Sequence, residues 1–390
     1  MNRRYFLGAI AGAAAAQPQR FDLLIRNGTV CDPARGFKRR ADVGIAGGRI
    51  ASIEDSIPAA RGVDVVEARG MYVTPGLVDL HTHCYHAATG IGVEAAPIAA
   101  RSGVTTWVDA GSFGVTQAEG FRKFIVEPSR VRIFGYVYLY PDNRNPDMDQ
   151  VQYVRSFMKR TGETVVANKD ILLGIKLQVG SNMNGRYSYD FLKIARELCD
   201  TYRLPLMAHI SFAPPSTDQV MELMKSGDVV THCYNRHTLG IIDDAGKVRR
   251  SVREARERGV LFDVGHGLGS FNFEAARKAL ADGFVADTIS TDIYNLNVRG
   301  PVFDMPTTMS KMMHLGMSFD DVLKRTTIAP AKIIGRVEGL GTLAVGSPAD
   351  VALLGIEDGE FPLIDSQKAS VTAKQRVVSK LTICKGKRVL

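Results

Sequence analysis

The stretch Thr74-Pro75-Gly76-Leu77-Val78-Asp79-Leu80-His81-Thr82-His83 decides how the rest of the chain is read. A Thr-Pro-Gly turn signal opens it, and an apolar run follows that carries two imidazoles two residues apart. Residues i and i+2 of a β-strand share a face, so both rings point the same way, as ligands of one metal ion would. Histidine is scarce, eight residues in 390, yet two more fall at the ends of short apolar runs: His209 in Leu206-Met207-Ala208-His209 and His232 in Val229-Val230-Thr231-His232. Lys176 lies inside Leu172-Leu173-Gly174-Ile175-Lys176-Leu177, and Asp292 follows Thr288-Ile289-Ser290-Thr291. Five candidate strands therefore end in polar groups.

Outward from these runs, apolar strands alternate with helical stretches. Strands are expected at 77–83, 105–110, 131–139, 172–179, 206–210, 229–232, 259–264 and 288–292, with helices at 189–202, 216–225, 248–258 and 273–282. Eight strands alternating with helices form a TIM-type (β/α)8 barrel, an α/β fold whose chemistry sits at the C-terminal strand ends. The polar groups fall at those ends. Steps of 33 residues from Lys176 to His209 and of 23 from His209 to His232 each fit one βα unit. Before the barrel the chain reads as short strands, with Asn27-Gly28 and Gly47-Gly48 as hairpin signals. After it, Gly339-Leu340-Gly341 and Gly346-Ser347-Pro348-Ala349-Asp350 return to turn-rich β character, as does 370–390. The two chain ends are expected to pair into one small β-sandwich. The expected boundaries are a leader at 1–16, sandwich strands at 17–75, the barrel at 76–335 and returning sandwich strands at 336–390.

Composition narrows the function. With 45% hydrophobic and 23% charged residues the chain reads as an ordinary folded protein. Its five cysteines (Cys31, Cys84, Cys199, Cys233, Cys384) are odd in number and far apart, which points to neither a disulfide framework nor a thiolate zinc site. Cys84 and Cys233 would face away from their histidine neighbours and act as small buried fillers. The formal charge is +8, but the basic residues are scattered among acids without aromatic interleaving, which argues against nucleic-acid binding. A mildly positive field suits a small anionic substrate. Past the leader, no segment reaches the roughly 18 apolar residues of an integral membrane segment. At the N-terminus, Arg3-Arg4, a short apolar stretch and the alanines at 13–16 resemble a twin-arginine signal. That signal implies the twin-arginine export machinery as a partner and a periplasmic mature protein, folded and metal-loaded before export.

Taken together, the motif at 74–83, Lys176 on the fourth strand, His209 and His232 on the fifth and sixth, Asp292 on the eighth and the Gly-Ser-Pro-Ala-Asp tract resemble the amidohydrolase superfamily. Longer runs, Thr231-His232-Cys233-Tyr234-Asn235, Asp263-Val264-Gly265-His266-Gly267 and Pro306-Thr307-Thr308-Met309-Ser310-Lys311, are similar to its dihydroorotase-like branch of amidohydrolase/deacetylase metallohydrolases. The resemblance implies two divalent metal ions, with zinc suited best to imidazole and carboxylate ligands and manganese, iron or cobalt also admitted. His81, His83 and Asp292 would hold one ion and His209 and His232 the other. Lys176, desolvated in an apolar strand, favours its neutral amine, which adds carbon dioxide to give a carbamate bridging both ions. A bridging hydroxide would attack an amide or ester of a small carboxylate-bearing molecule, with Asp292 as the catalytic proton carrier.

His266, Asn235, Tyr294 and Arg186 are the candidate substrate contacts, whereas His86, His237 and His314 read as ordinary loop or surface residues. Gln178 stands where many such relatives carry arginine, a departure at the position that would meet a substrate carboxylate. Two other functions stay open: dihydroorotase-like opening of a cyclic imide or ureide, and a non-catalytic barrel kept as a binding module. The sequence also admits a homo-oligomer.

Overall fold

The computed structural model describes residues 20–140 and 149–390. The leader at 1–16 lies outside the described residues. Among the described residues fifteen strands follow one another: β1 (Phe21–Asp32), β2 (Phe37–Ala46), β3 (Arg49–Glu54), β4 (Gly62–Glu67), β5 (Tyr72–Pro75), β6 (Leu77–Thr82), β7 (Val104–Ala110), β8 (Arg132–Tyr138), β9 (Leu172–Val179), β10 (Leu206–Ile210), β11 (Val229–Thr231), β12 (Leu261–Asp263), β13 (Val351–Ile364), β14 (Ser370–Cys384) and β15 (Lys387–Arg388).

Strands β6 to β12 form one curled, all-parallel sheet in chain order, with helices between them. Every residue of β6 and β7 is buried, as expected for a parallel sheet covered on both faces. Local sequence sets where the helices start. Ser216 and Gln219 form a capping box before Thr217–Leu223, and Asn272 caps Phe273–Ala281. The eighth expected strand differs from the rest. Residues 288–293 make only isolated parallel bridges, Asp263 with Thr288 and Thr82 with Ile293, so this segment touches both edges of the sheet without forming a ladder. Its backbone is drawn off the strand path at Asp292, whose φ is 48°.

Strands from both chain ends join in a single eight-stranded sheet of order β15-β14-β13-β5-β1-β2-β3, with β4 alongside β1. Ile25, Val43, Val73, Leu353 and Ile383 share one apolar cluster there. Gly47-Gly48 is the tight turn between β2 and β3, both residues at positive φ. Asn27-Gly28 is not a turn: β1 continues through it, and the register against β2 slips between Ile25 and Gly28. Asn27 takes φ 63° and its raised N–H bonds Asp42 Oδ1 at 2.7 Å, so the pair makes a bulge instead of reversing the chain.

Asp350 ties this sheet to the first strands of the parallel one. Its carboxylate pairs with Arg132 Nη2 at 3.0 Å and accepts from Lys385 N at 2.8 Å, while its carbonyl accepts from Gly76 N. Both side chains are largely buried, so removing one strands the other's charge. Asp350→Ala should cost about 3 kcal/mol of unfolding free energy. Urea unfolding checks this, and an unchanged midpoint would show that the pair contributes nothing.

Candidate metal centre

The C-terminal ends of β6, β9 and β10 and the segment after Ser290 converge on one cavity of about 610 Å³, and His232, after β11, is buried against His209. Its walls include His81, His83, Lys176, His209, Asp292 and Tyr294. His81 Nε2 and His83 Nε2 lie 3.4 and 3.2 Å from Asp292 Oδ1. Lys176 Nζ is 3.0 Å from His81 Nε2 and 3.6 Å from Met207 Sδ. His232 Nε2 is 2.9 Å from His209 Nδ1. Ligand atoms of His81, His232 and Asp292 all lie within 4.8 Å of one another, a spacing that could hold a metal ion.

Proton positions on the imidazoles follow from their outer partners. Thr231 Oγ1 gives its single hydrogen to Asp263 Oδ2 at 2.8 Å, so it can only accept from His81 Nδ1, also at 2.8 Å. Ser112 Oγ donates to Asp109 Oδ2 at 2.8 Å and accepts from His83 Nδ1 at 2.8 Å. His232 Nδ1 donates to Gly265 O at 2.6 Å. The Nε2 lone pairs of His81 and His83 therefore face the cavity, while that of His232 meets His209 Nδ1. Asp292 Oδ1, buried between two such lone pairs, accepts no hydrogen bond among the described residues. Acceptors gathered about one carboxylate oxygen repel each other unless a positive charge lies among them; Lys176 Nζ meets the His81 nitrogen alone of the three, and the donor set fits a divalent metal.

Electrostatics and strain agree. Burial, joined by the Lys176 amine and the neighbouring rings, holds His81 well below the usual imidazole range, and burial does the same for His209. Burial lowers His232 to about 4 and the Lys176 amine to about 8. Neutral rings are the ligating form. His232 and Asp292 both sit at positive φ, 70° and 48°, a conformation that costs non-glycine residues about 1 kcal/mol or more and that clusters at working sites. Asn235 Nδ2 to His232 O and Asn297 Nδ2 to Asp292 O, each 2.8 Å, hold the two strained carbonyls. Gly111, at φ 84°, leaves room for the lysine: a Cβ there would come within 2.7 Å of Lys176 Cγ.

The four expected substrate contacts separate. Tyr294 lines the cavity beside His83, with ring centroids 5.9 Å apart. Asn235 is buried beneath His232 and spends its amide on backbone carbonyls, so it braces the site from below. His266 is wholly buried, its two ring nitrogens engaged by Gly267 O and Lys311 Nζ, and it does not line the cavity. Arg186 is exposed on a neighbouring hollow, bonded to Tyr187. His237, read from sequence as an ordinary loop residue, lines the cavity and packs on Phe212 with ring centroids 4.2 Å apart. Thr231, Asp263, Ser112 and Asp109 escaped the sequence reading. The signal was there: Asp109 and Asp263 are also polar groups at strand ends, but neither is a histidine or lysine.

Comparison with known proteins agrees with this geometry. Residues 72–389 match the model of the amidohydrolase family. A deacetylase of Agrobacterium fabrum is 32% identical over 364 residues, covering 91% of this chain and 88% of its own. A crystal structure of an adenine deaminase superposes with a TM-score of 0.85 at 30% identity, covering 94% of this chain and 99% of that one. A dihydroorotase crystal structure gives the same TM-score at 29% identity, covering 94% and 97%. By length of match and by identity, the chain belongs to the amidohydrolase family and is a hydrolase.

Proposed function

We propose that this protein is a binuclear metal-dependent deacylase that cleaves an amide or ester bond of a small acylated, carboxylate-bearing molecule. The observation that carries the reading is the convergence of the His81, His83 and Asp292 acceptors beside a buried lysine. Lys176 is 2% exposed, and no carboxylate among the described residues lies within ion-pair distance of its Nζ. A permanent ammonium is poorly served by an imidazole and a thioether, whereas a neutral amine can take up carbon dioxide and present two carbamate oxygens to the cavity. On this reading His81, His83 and Asp292 would hold one ion and His209 and His232 the other, with a Lys176 carbamate supplying further oxygen donors. Divalent ions, for which zinc suits these donors best, supply when bound a more acidic water and a polarised acyl carbonyl.

The chain's own groups do the rest. Water adds to the acyl carbon while Asp292 takes its proton. The C–N or C–O bond then breaks, and Asp292 returns the proton to the departing nitrogen or oxygen. Tyr138 OH donates to Gln178 Oε1 at 3.2 Å and Ser211 Oγ donates to Asn182 Oδ1 at 2.7 Å. Those bonds leave the amide N–H groups of Gln178 and Asn182 as donors on the cavity wall, suited to a substrate carbonyl or carboxylate oxygen. Ile91, Met183, Leu268 and Leu296 give the cavity an apolar share that suits an aliphatic side chain. The full-length match to a deacetylase supports acyl cleavage ahead of cyclic ureide opening. We read residues 288–293 as closing a (β/α)8 barrel, with the terminal sheet folded over as its sandwich. The Arg3-Arg4 leader supports twin-arginine export to the periplasm.

Three measurements test this. Metal-loaded protein should hydrolyse N-acyl amino acids or O-acyl hydroxy acids, and turnover confined to cyclic ureides would overturn the deacylase reading. Lys176→Ala should fall to background and recover in part with added short carboxylic acids, whereas full activity without them would remove the carbamate. Thr231→Val, which takes the acceptor from His81 Nδ1, should weaken metal binding by about 10- to 100-fold in chelator competition.

A further inference from the structure

Behind the cavity lies a buried network that the hydrolytic reading does not use. Lys311, on the helix Met305–His314, is wholly buried, yet among the described residues its Nζ reaches only two acceptors: His266 Nε2 at 2.8 Å and Pro301 O at 2.7 Å. His266 Nδ1 donates to Gly267 O at 2.9 Å, which leaves Nε2 free to accept from the amine. The ring stacks on Phe271, centroids 4.6 Å apart. From the other side comes the turn between β13 and β14. Ser366 Oγ reaches Gly267 O at 3.1 Å and His266 O at 3.4 Å, and it accepts from Phe271 N at 3.1 Å. Asp365, 1% exposed, accepts from Asn272 Nδ2 and Phe273 N.

The loop clamped between them, residues 265–267, touches the candidate metal ligands. Gly265 O accepts the hydrogen bond from His232 Nδ1. Gly267, at φ 58°, packs so closely that a Cβ would come within 2.4 Å of Asp292 Oδ2. Pro301, the amine's second acceptor, closes the segment in which Asn297 holds the Asp292 carbonyl. One amine and one hydroxyl thus brace the backbone that fixes a ring nitrogen and a carboxylate.

We propose that Lys311 and Ser366 are positioning residues: the tip of the C-terminal hairpin and a buried amine jointly hold the 265–267 loop, and through it set His232 and Asp292 for metal binding. The inference rests on the metal-centre reading above. Outer partners of this kind change metal affinity or activity by about 10- to 100-fold when removed.

The test compares wild type, Lys311→Met, which keeps the apolar stem without the amine, and Ser366→Ala, a milder change at a half-buried turn. Zinc retained at increasing chelator concentration is read by metal analysis, and kcat and KM are taken on the best acyl substrate. Both variants should release zinc at lower chelator, Lys311→Met by about tenfold, with kcat falling in parallel and KM within about twofold of wild type. Wild-type retention and kcat in both folded variants, even with a lowered melting temperature, would overturn the proposal and leave the network merely structural. If Lys311→Met does not fold, Ser366→Ala decides by the same two readouts. A wild-type protein that binds no zinc or other divalent ion would sink the metal-centre reading itself, which the variant comparison alone cannot do.

Discussion

The structure turns on a repulsion. The Nε2 electron pairs of His81 and His83 each lie within about 3.5 Å of buried Asp292 Oδ1, to which no described residue donates a hydrogen bond. Folding energy has to hold that arrangement together, and the strained φ of Asp292 and His232 is part of what it sustains. Such a centre is unstable as a purely structural feature and makes sense as a receptor for positive charge.

What makes the receptor rigid is the layer outside it. Two carboxylates, Asp263 and Asp109, each fix a hydroxyl, and each hydroxyl fixes a ring proton. Asp263 also accepts from Thr288 and Ser290, so the segment that delivers Asp292 is fastened to the same acid that orients His81 through Thr231. Burial raises the Asp263 carboxyl, and three donated hydroxyl bonds oppose that shift. Candidate ligands from the first parallel strand and from the segment that follows the last are thus coupled through one buried group.

Much of this was legible in the chain. The strands carrying His81, Lys176 and His209 lie within a residue of their expected bounds, because long apolar runs ended by Gly, Pro or a polar group admit few alternatives. The eighth strand was not legible as it stands: 288–292 has strand composition, but Asp292 must leave the ladder to reach the histidines. The Asn27-Gly28 bulge was hidden because the same dipeptide serves a turn or a bulge, and only the pairing partner chooses. Which side chains line the cavity was the least legible. His237 and Asn235 exchanged the expected positions of loop residue and contact, since nothing local in sequence tells which face of a loop meets the cavity.

The pairing of the two chain ends also governs how the protein can be made. Strand β5, near residue 73, finds its partner in β13 at residues 351–354, so one edge of the early sheet waits until almost the whole polypeptide has been synthesised. Long-range closure of this kind slows folding and leaves an open strand edge on the nascent chain. Premature termination between residue 335 and Asp350 would therefore leave the parallel sheet without its Asp350 tether and with an exposed β5 edge that invites aggregation.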